Sequence, residues 1–291
     1  YALDLGGGRI CYFTNVPTLK SDTSEPYRLR PMTLDDIPFA AALFERDAAR
    51  ALVVCPRPQW LWQHMLTGRS PESIEYTPLQ VIETTDGRAV GYVMPSREIW
   101  RDMTPVSELS VGEGQSLRAV MPSVLRWLQT HAEAEAGKQN KPVHGVYLAL
   151  GKEHPVFNAI PELLPTAWRV YGWYLRVADM PRFIRHIAPV LQARLAQSVM
   201  AGYTGDLKLS EYTRGYRLAF ENGKLTCAEA WQPTESESHA AFPPRVLLQL
   251  LFGFRSLGEL RDFYADCSAK DEADVLLNAL FPKQSSCVVP V

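Results

Sequence analysis

The sequence lacks any uninterrupted apolar stretch of roughly 18 residues, the length that crosses a membrane. Its longest apolar cluster, residues 246–252, is a short core segment. The first residues carry no charged region followed by an apolar one, the pattern of an export signal. Neither sign of charge is in excess. Lys and Arg number 30 against 32 Asp and Glu, for a net charge of -2, and the signs are mixed along the chain. That leaves no electrostatic reason to expect nucleic acid or an anionic membrane as a partner. Cysteine is scarce: Cys11, Cys55, Cys227, Cys267 and Cys287 are odd in number and far apart. They form no C-x-x-C pair and no Cys/His cluster with zinc spacing, so they are expected to be buried free thiols in a reducing cytoplasm. No G-x-S-x-G elbow signals a serine hydrolase.

What is present belongs to an ordinary globular chain. Hydrophobic residues make up 46% and charged residues 21%, the balance of a soluble domain. At 291 residues, and roughly 100–200 residues per domain, two domains are expected. The opening, "YALDLGGGRICYFTNVP", alternates apolar and polar residues on either side of Gly6-Gly7-Gly8. It predicts a hairpin over residues 1–17. An isolated hairpin is marginal in water, so it needs neighbours.

Residues 18–26, "TLKSDTSEP", read as a linker. Residues 27–179 then follow the order βααβββαβαβ. Asp35 and Asp36 open the first helix with charges that suit its N-terminus. A second helix carries Trp60, Trp62 and His64. Asp86-Gly87 marks a hairpin turn. A longer helix is read over residues 123–136. From residue 180 the text changes. An amphipathic helix with Phe183, Ile187, Leu191 and Leu195 on one face is kinked at Pro189. About three strands follow, with Asn222-Gly223 as a hairpin signal. Three short helices close the chain, one of them begun by a Ser256/Glu259 capping box. The boundary is placed near residue 180.

The order βααβββαβαβ resembles the GNAT N-acetyltransferase fold. The closing text, "FPPRVLLQLLFGFRSLGELRDFYADC" with "LLNALFPKQSS", is similar to the sterol-carrier-protein-like domain that ends the enhanced intracellular survival (Eis) family of bacterial acetyltransferases. The resemblance covers nearly the whole chain. It implies an α+β protein: a GNAT-like mixed sheet flanked by helices over residues 27–179, then a sterol-carrier-like α/β sandwich over residues 180–291. In that family these two domains follow a catalytic GNAT domain. The resemblance therefore implies that residues 1–17 are the closing hairpin of a first domain that is mostly absent. It also implies acetyl-CoA as the cofactor of the parent enzyme, an amine as substrate, and hexameric assembly in some relatives. The family's base is the chain's own C-terminal carboxylate, a role that carries over to Val291 only if Val291 is the true terminus. A frayed end is the other reading of that tail. The family's catalytic tyrosine belongs to the missing domain and is carried onto no residue here.

Acetyl-CoA binding needs a turn of small residues at a helix N-terminus, where backbone N–H groups meet the pyrophosphate. The family pattern is Arg or Gln, two residues, Gly, one residue, then Gly or Ala. With Arg118 first, the small positions fall on Met121 and Ser123; with Gln115 first, on Arg118 and Val120. Gly112 and Gly114 read as too early. No cofactor is therefore expected in this chain, nor a metal.

Histidines supply weak candidates. His64 lies between aromatic and apolar neighbours. His131 and Glu135 are spaced i, i+4 without a second histidine. His186 sits among arginines, and His239 follows a polar loop. An acidic pocket would suit a cationic amine, and the sequence assigns none of Glu72, Glu75 and Glu108 to one. The sequence supports a non-catalytic part of an amine acetyltransferase, inactive alone. The alternative is a hydrophobic-ligand module built on residues 246–252, whose plain reading is a core helix.

Overall fold

In the computed structural model, residues 3–5, 7–168, 171–234, 237–286 and 288 are described. The chain divides into two compact units, centred on residues 4–171 and 172–286. The division falls some residues before the expected boundary at 180.

In the first unit the strands are β1 (Leu3–Leu5), β2 (Gly8–Tyr12), β3 (Tyr27–Pro31), β4 (Gln80–Thr84), β5 (Ala89–Pro95), β6 (Met103–Val111), β7 (Gly145–Leu148), β8 (Thr166–Trp168) and β9 (Tyr171–Trp173), the last reaching the division. The helices are α1 (Ile37–Ala48), α2 (Gln59–Gln63), α3 (Leu117–Gln139) and α4 (Val156–Ala159). From β3 to α4 this is the order read from the sequence; the last strand, expected from residue 171, begins at β9, and β8 before it is an addition. A seven-stranded sheet runs β3-β4-β5-β6-β7-β2-β8. All neighbours are antiparallel except β6 and β7.

The opening hairpin is corrected. Strand β2 does not turn back on β1. It enters the sheet between β7 and β8, antiparallel to both. Two glycines permit this. A Cβ on Gly8 would lie 1.9 Å from the Leu148 carbonyl oxygen, and one on Gly145 would lie 2.5 Å from that of Cys11. The alternation in residues 8–12 was legible, but its partners lie more than a hundred positions away.

The 18–26 segment is tethered by Glu25, which accepts from Ser123 Oγ at 2.7 Å and from Arg126 Nη2 at 2.8 Å. Helix α3 begins at Leu117, six residues before the expected start, and carries Pro122 inside it. Ser116 caps it, accepting from the Ala119 N–H at 3.3 Å. Its buried face, Val120, Met121, Val124, Leu125 and Leu128, packs on Ile82, Val90, Val93, Val106 and Leu109. On the other side of the sheet, α1, α2 and the turn that follows α2 pack Ala40, Leu43, Trp62 and Met65 on Val81, Tyr92 and Met94.

The second unit holds α5 (Met180–His186), α6 (Ala188–Ala196), β10 (Gly205–Ser210), β11 (Gly215–Glu221), β12 (Lys224–Trp231), β13 (Ala240–Ala241), α7 (Leu247–Leu251), α8 (Leu257–Phe263), β14 (Ser268–Ala269) and α9 (Asp271–Leu280). The expected kink is a full break at Ile187 between α5 and α6. Asn222 and Gly223 take positive φ, 49° and 75°, as their hairpin turn requires. The Ser256/Glu259 capping box forms. The sheet runs β12-β11-β10-β13-β14. One core gathers Leu191, Leu207, Leu218, Phe242, Leu250 and Leu277.

Candidate functional site

In open α/β sheets, ligands bind in the crevice at the carboxyl ends of parallel strands. The first unit has one such pair among its described residues, β6 and β7. They stay in register from Met103 opposite Gly145 to Val106 opposite Leu148. The last link is the Ala149 N–H donating to the Val106 carbonyl at 2.8 Å. Beyond it the strands part, and β6 continues to Val111 paired only with β5. This leaves a fork, and the chain runs from the end of β6 through a short turn into α3.

His154 lies in the fork. The Val156 N–H donates to its Nδ1 at 3.2 Å, so the ring proton sits on Nε2. Nε2 donates to the Leu109 carbonyl at 3.0 Å. Burial lowers the imidazole's affinity for a proton and keeps the ring neutral. The carbonyl freed by strand divergence is thus satisfied internally. Val156, Phe157, Ile160 and Leu164, from the segment behind His154, share the core of α3. Beside it, Ser110 Oγ donates to Asp47 Oδ2 at 2.5 Å and accepts from Arg46 Nη2 at 3.1 Å. Serine and histidine therefore have separate partners, and no nucleophile–base pair is assembled here.

The turn between β6 and α3 is residues 112–116. This corrects the motif reading. Met121 and Ser123 lie inside the helix, both buried, and the small residues of the turn are Gly112 and Gly114. Gly114 has φ +73° with open space about it. Arg118, the first position of the motif frame, faces other partners. It donates to the Ala159 carbonyl at 2.8 Å and pairs with Glu162 at 2.7 Å.

The other sequence candidates do not converge. His64 and His186 are exposed. His131 stacks on Trp127 and contacts the Ser96 carbonyl at 3.1 Å; its neighbour Glu135 pairs with Lys138 and Arg97. His239 Nδ1 accepts from the Lys208 N–H at 3.3 Å. Glu72 and Glu75 are exposed, whereas Glu108 is buried. Among the described residues, no cluster of His, Cys, Asp and Glu is arranged to hold a metal. Among the described residues, no helix is long and apolar enough to cross a membrane. Cys11 and Cys267 are buried, and burial pushes both thiols up to about 11. Cys55 and Cys227 are partly exposed. Cys287 and Val291 lie outside the described residues. In α7, Leu247, Leu250 and Leu251 are core residues of the second unit.

Sequence reasoning missed His154. "HP" before a short helix gives only a local turn signal, and nothing in the sequence points to the carbonyl that His154 meets.

No protein-family model matches the chain, and neither does any curated protein. Solved structures do. A GCN5-related N-acetyltransferase from Anabaena variabilis aligns over 98% of this chain and 67% of its own, at 16% identity and a TM-score of 0.53. A conserved protein of unknown function from Enterococcus faecalis, described as a probable N-acyltransferase, aligns over 98% and 66%, at 13% identity and a TM-score of 0.57. A GCN5-related N-acetyltransferase from Kribbella flavida aligns over 99% and 65%, at 18% identity and a TM-score of 0.50. The fold is that of the GCN5-related N-acetyltransferases. This chain spans about two thirds of the length of those structures.

The GCN5-related fold implies acetyl-CoA, and the residues present fit it poorly. Glycines remain in the β6–α3 turn, but Glu113 stands exposed between them. Its negative charge opposes a pyrophosphate at the helix N-terminus. The Ser116 cap already takes one of the donors such an anion would use. The open edge of the fork is taken by His154.

Proposed function

We propose that this chain is the non-catalytic part of an acetyl-CoA-dependent N-acetyltransferase of the Eis type. In this reading the first unit is a GNAT-like domain without a cofactor of its own, and the second is the sterol-carrier-like cover. The whole enzyme transfers acetyl from the thioester to an amine. That chemistry needs a base to take the ammonium proton and an acid for the leaving thiolate. The base in this reading is the protein's own C-terminal carboxylate, which is that of Val291 only if Val291 is the true terminus, and the acid belongs to a domain outside this sequence. Assembly as a homo-oligomer belongs to the same reading.

The observation that carries it is the closed fork. The Leu109 carbonyl is bonded to His154, and the α4 segment behind it is part of the core. Opening such a site would break packed apolar contacts and leave a buried carbonyl unpaired.

Calorimetric titration of acetyl-CoA into the chain tests the proposal. No heat of binding is expected. Stoichiometric binding at micromolar concentration would show that the fork opens and that this chain carries its own cofactor site.

A further inference from the structure

On the α1/α2 side of the sheet, one arginine is enclosed. Arg57 lies in the irregular segment between α1 and α2, and it is the buried residue of the stretch 49–58. Pro56 and Pro58 on either side are exposed. Its side chain is 1% exposed and is paired with Glu108. Nη1 donates to Oε2 at 2.9 Å and Nη2 donates to Oε1, a two-pronged contact. The Tyr92 hydroxyl donates to the same Oε2 at 3.0 Å. The guanidinium carbon lies 4.3 Å from the Phe44 ring centre and 4.5 Å from that of Trp62. The indole N–H of Trp62 is buried without an acceptor among the described residues.

A carboxylate, a phenol and two aromatic faces around one cation is the composition of a cation-recognition box. A plain structural core is served better by apolar residues, because burying an ion pair costs desolvation that its attraction roughly repays. The occupant here is delivered by a loop, and loops are the elements that open at lowest cost.

We propose that Phe44, Trp62, Tyr92 and Glu108 form a binding site for an alkylguanidinium ligand, and that Arg57 is its internal occupant. The site takes a planar guanidinium in preference to an ammonium. The flat fork matches both oxygens of Glu108 while its faces meet the rings. A ligand enters as the segment 49–58 withdraws and its own cation replaces that of Arg57. Glu108 is then never left buried without a counter-charge. The polar cluster of His154 and Ser110 is not part of this site, so the inference stands apart from the proposed absence of acetyl-CoA.

Agmatine tests it, with butylammonium as the control cation. Competition with an internal occupant weakens binding by the fraction of time the loop is open. For an open state populated at about 0.1–10%, Arg57→Ala is expected to bind agmatine roughly 10- to 1,000-fold more tightly than the wild type. Adding Glu108→Gln to that variant is expected to abolish the binding. In the wild type, agmatine is expected to raise the alkylation rate of Cys55, two residues from Arg57, relative to Cys227 in peptide mass spectra. That readout needs no variant to fold. The proposal is overturned if agmatine changes neither protein. It is overturned equally if only Arg57→Ala responds, which makes Arg57 a permanent structural residue, or if binding survives loss of the Glu108 charge or is matched by butylammonium.

Discussion

The two faces of the seven-stranded sheet solve the same burial problem in opposite ways. Under α3 the contact is apolar, with Val120, Met121, Val124, Leu125 and Leu128 on strand valines, isoleucine and leucine. Under α1 and α2, apolar packing is interrupted by charge. Glu108 holds Arg57 and Tyr92, and Ser110 holds Asp47 and Arg46. Neighbouring residues of one strand, β6, thus serve two unlike surroundings: Leu109 faces the first, and Glu108 and Ser110 the second. Apolar burial stabilises in proportion to area and demands little beyond fit. Buried charge demands a partner for every polar atom and returns little net stability. The α3 face therefore accounts for the fold, and the α1/α2 face calls for a further explanation, which the cation box supplies.

The contrast is breakable. Glu108→Ala leaves the Arg57 guanidinium enclosed without its counter-charge and is expected to cost about 3–5 kcal/mol in urea unfolding. Replacing both members, as Arg57→Met with Glu108→Leu, is expected to be near neutral or stabilising. A double variant as unstable as the single one would mean that the pair is needed for the fold itself. On the other face, Leu128→Ala removes apolar contact alone and is expected to cost about 2–5 kcal/mol, with no apolar partner change that restores it at a distance. A cost below about 1 kcal/mol would mean that the α3 face collapses around the gap and carries less of the fold than its burial suggests.

The smallest effect is a pH dependence at the fork. Burial holds the His154 imidazole below its ordinary range, so the folded chain binds fewer protons there than the unfolded one. That contribution is fully present above about pH 6.5 and is lost as pH falls through it, with a slope of at most about 1.4 kcal/mol per pH unit per proton. His131 is lowered in the same direction, so His154→Gln is expected to flatten the loss between pH 7 and 5 without removing it. Asp36, held at about 2 chiefly by its hydrogen bonds from Arg30, loses its contribution only below about pH 4 and leaves that window clear. An unchanged pH profile in His154→Gln would place the imidazole outside the stabilising set.

Much of the fold was readable because it is local. The Asp86-Gly87 and Asn222-Gly223 turns, the Ser256/Glu259 capping box and the β3-to-α4 order each depend on residues a few positions apart. Helix α3 starts at Leu117 and not at residue 123, because the packing of Val120 and Met121 outweighs the cost of Pro122 inside the helix. A helix start at residue 123 places Met121 and Ser123 in the turn; the start at Leu117 places them in the helix and leaves Gly112 and Gly114 as the small residues of the turn. Glu108 was noticed as an acid, but its occupant was not, since Arg57 lies far off in sequence and looks like one more surface charge between prolines.

By itself, then, the sequence determined the elements, their order and the apolar faces that must be covered, because these follow from short-range sterics and periodicity. Only the tertiary structure decided that Gly8–Tyr12 joins the sheet between β7 and β8, that His154 closes the strand fork and that Arg57 fills the box around Glu108. Each of these unites residues distant in the chain. Each is chosen by what a buried edge, carbonyl or carboxylate still lacks once the rest has packed, and no local pattern records that need.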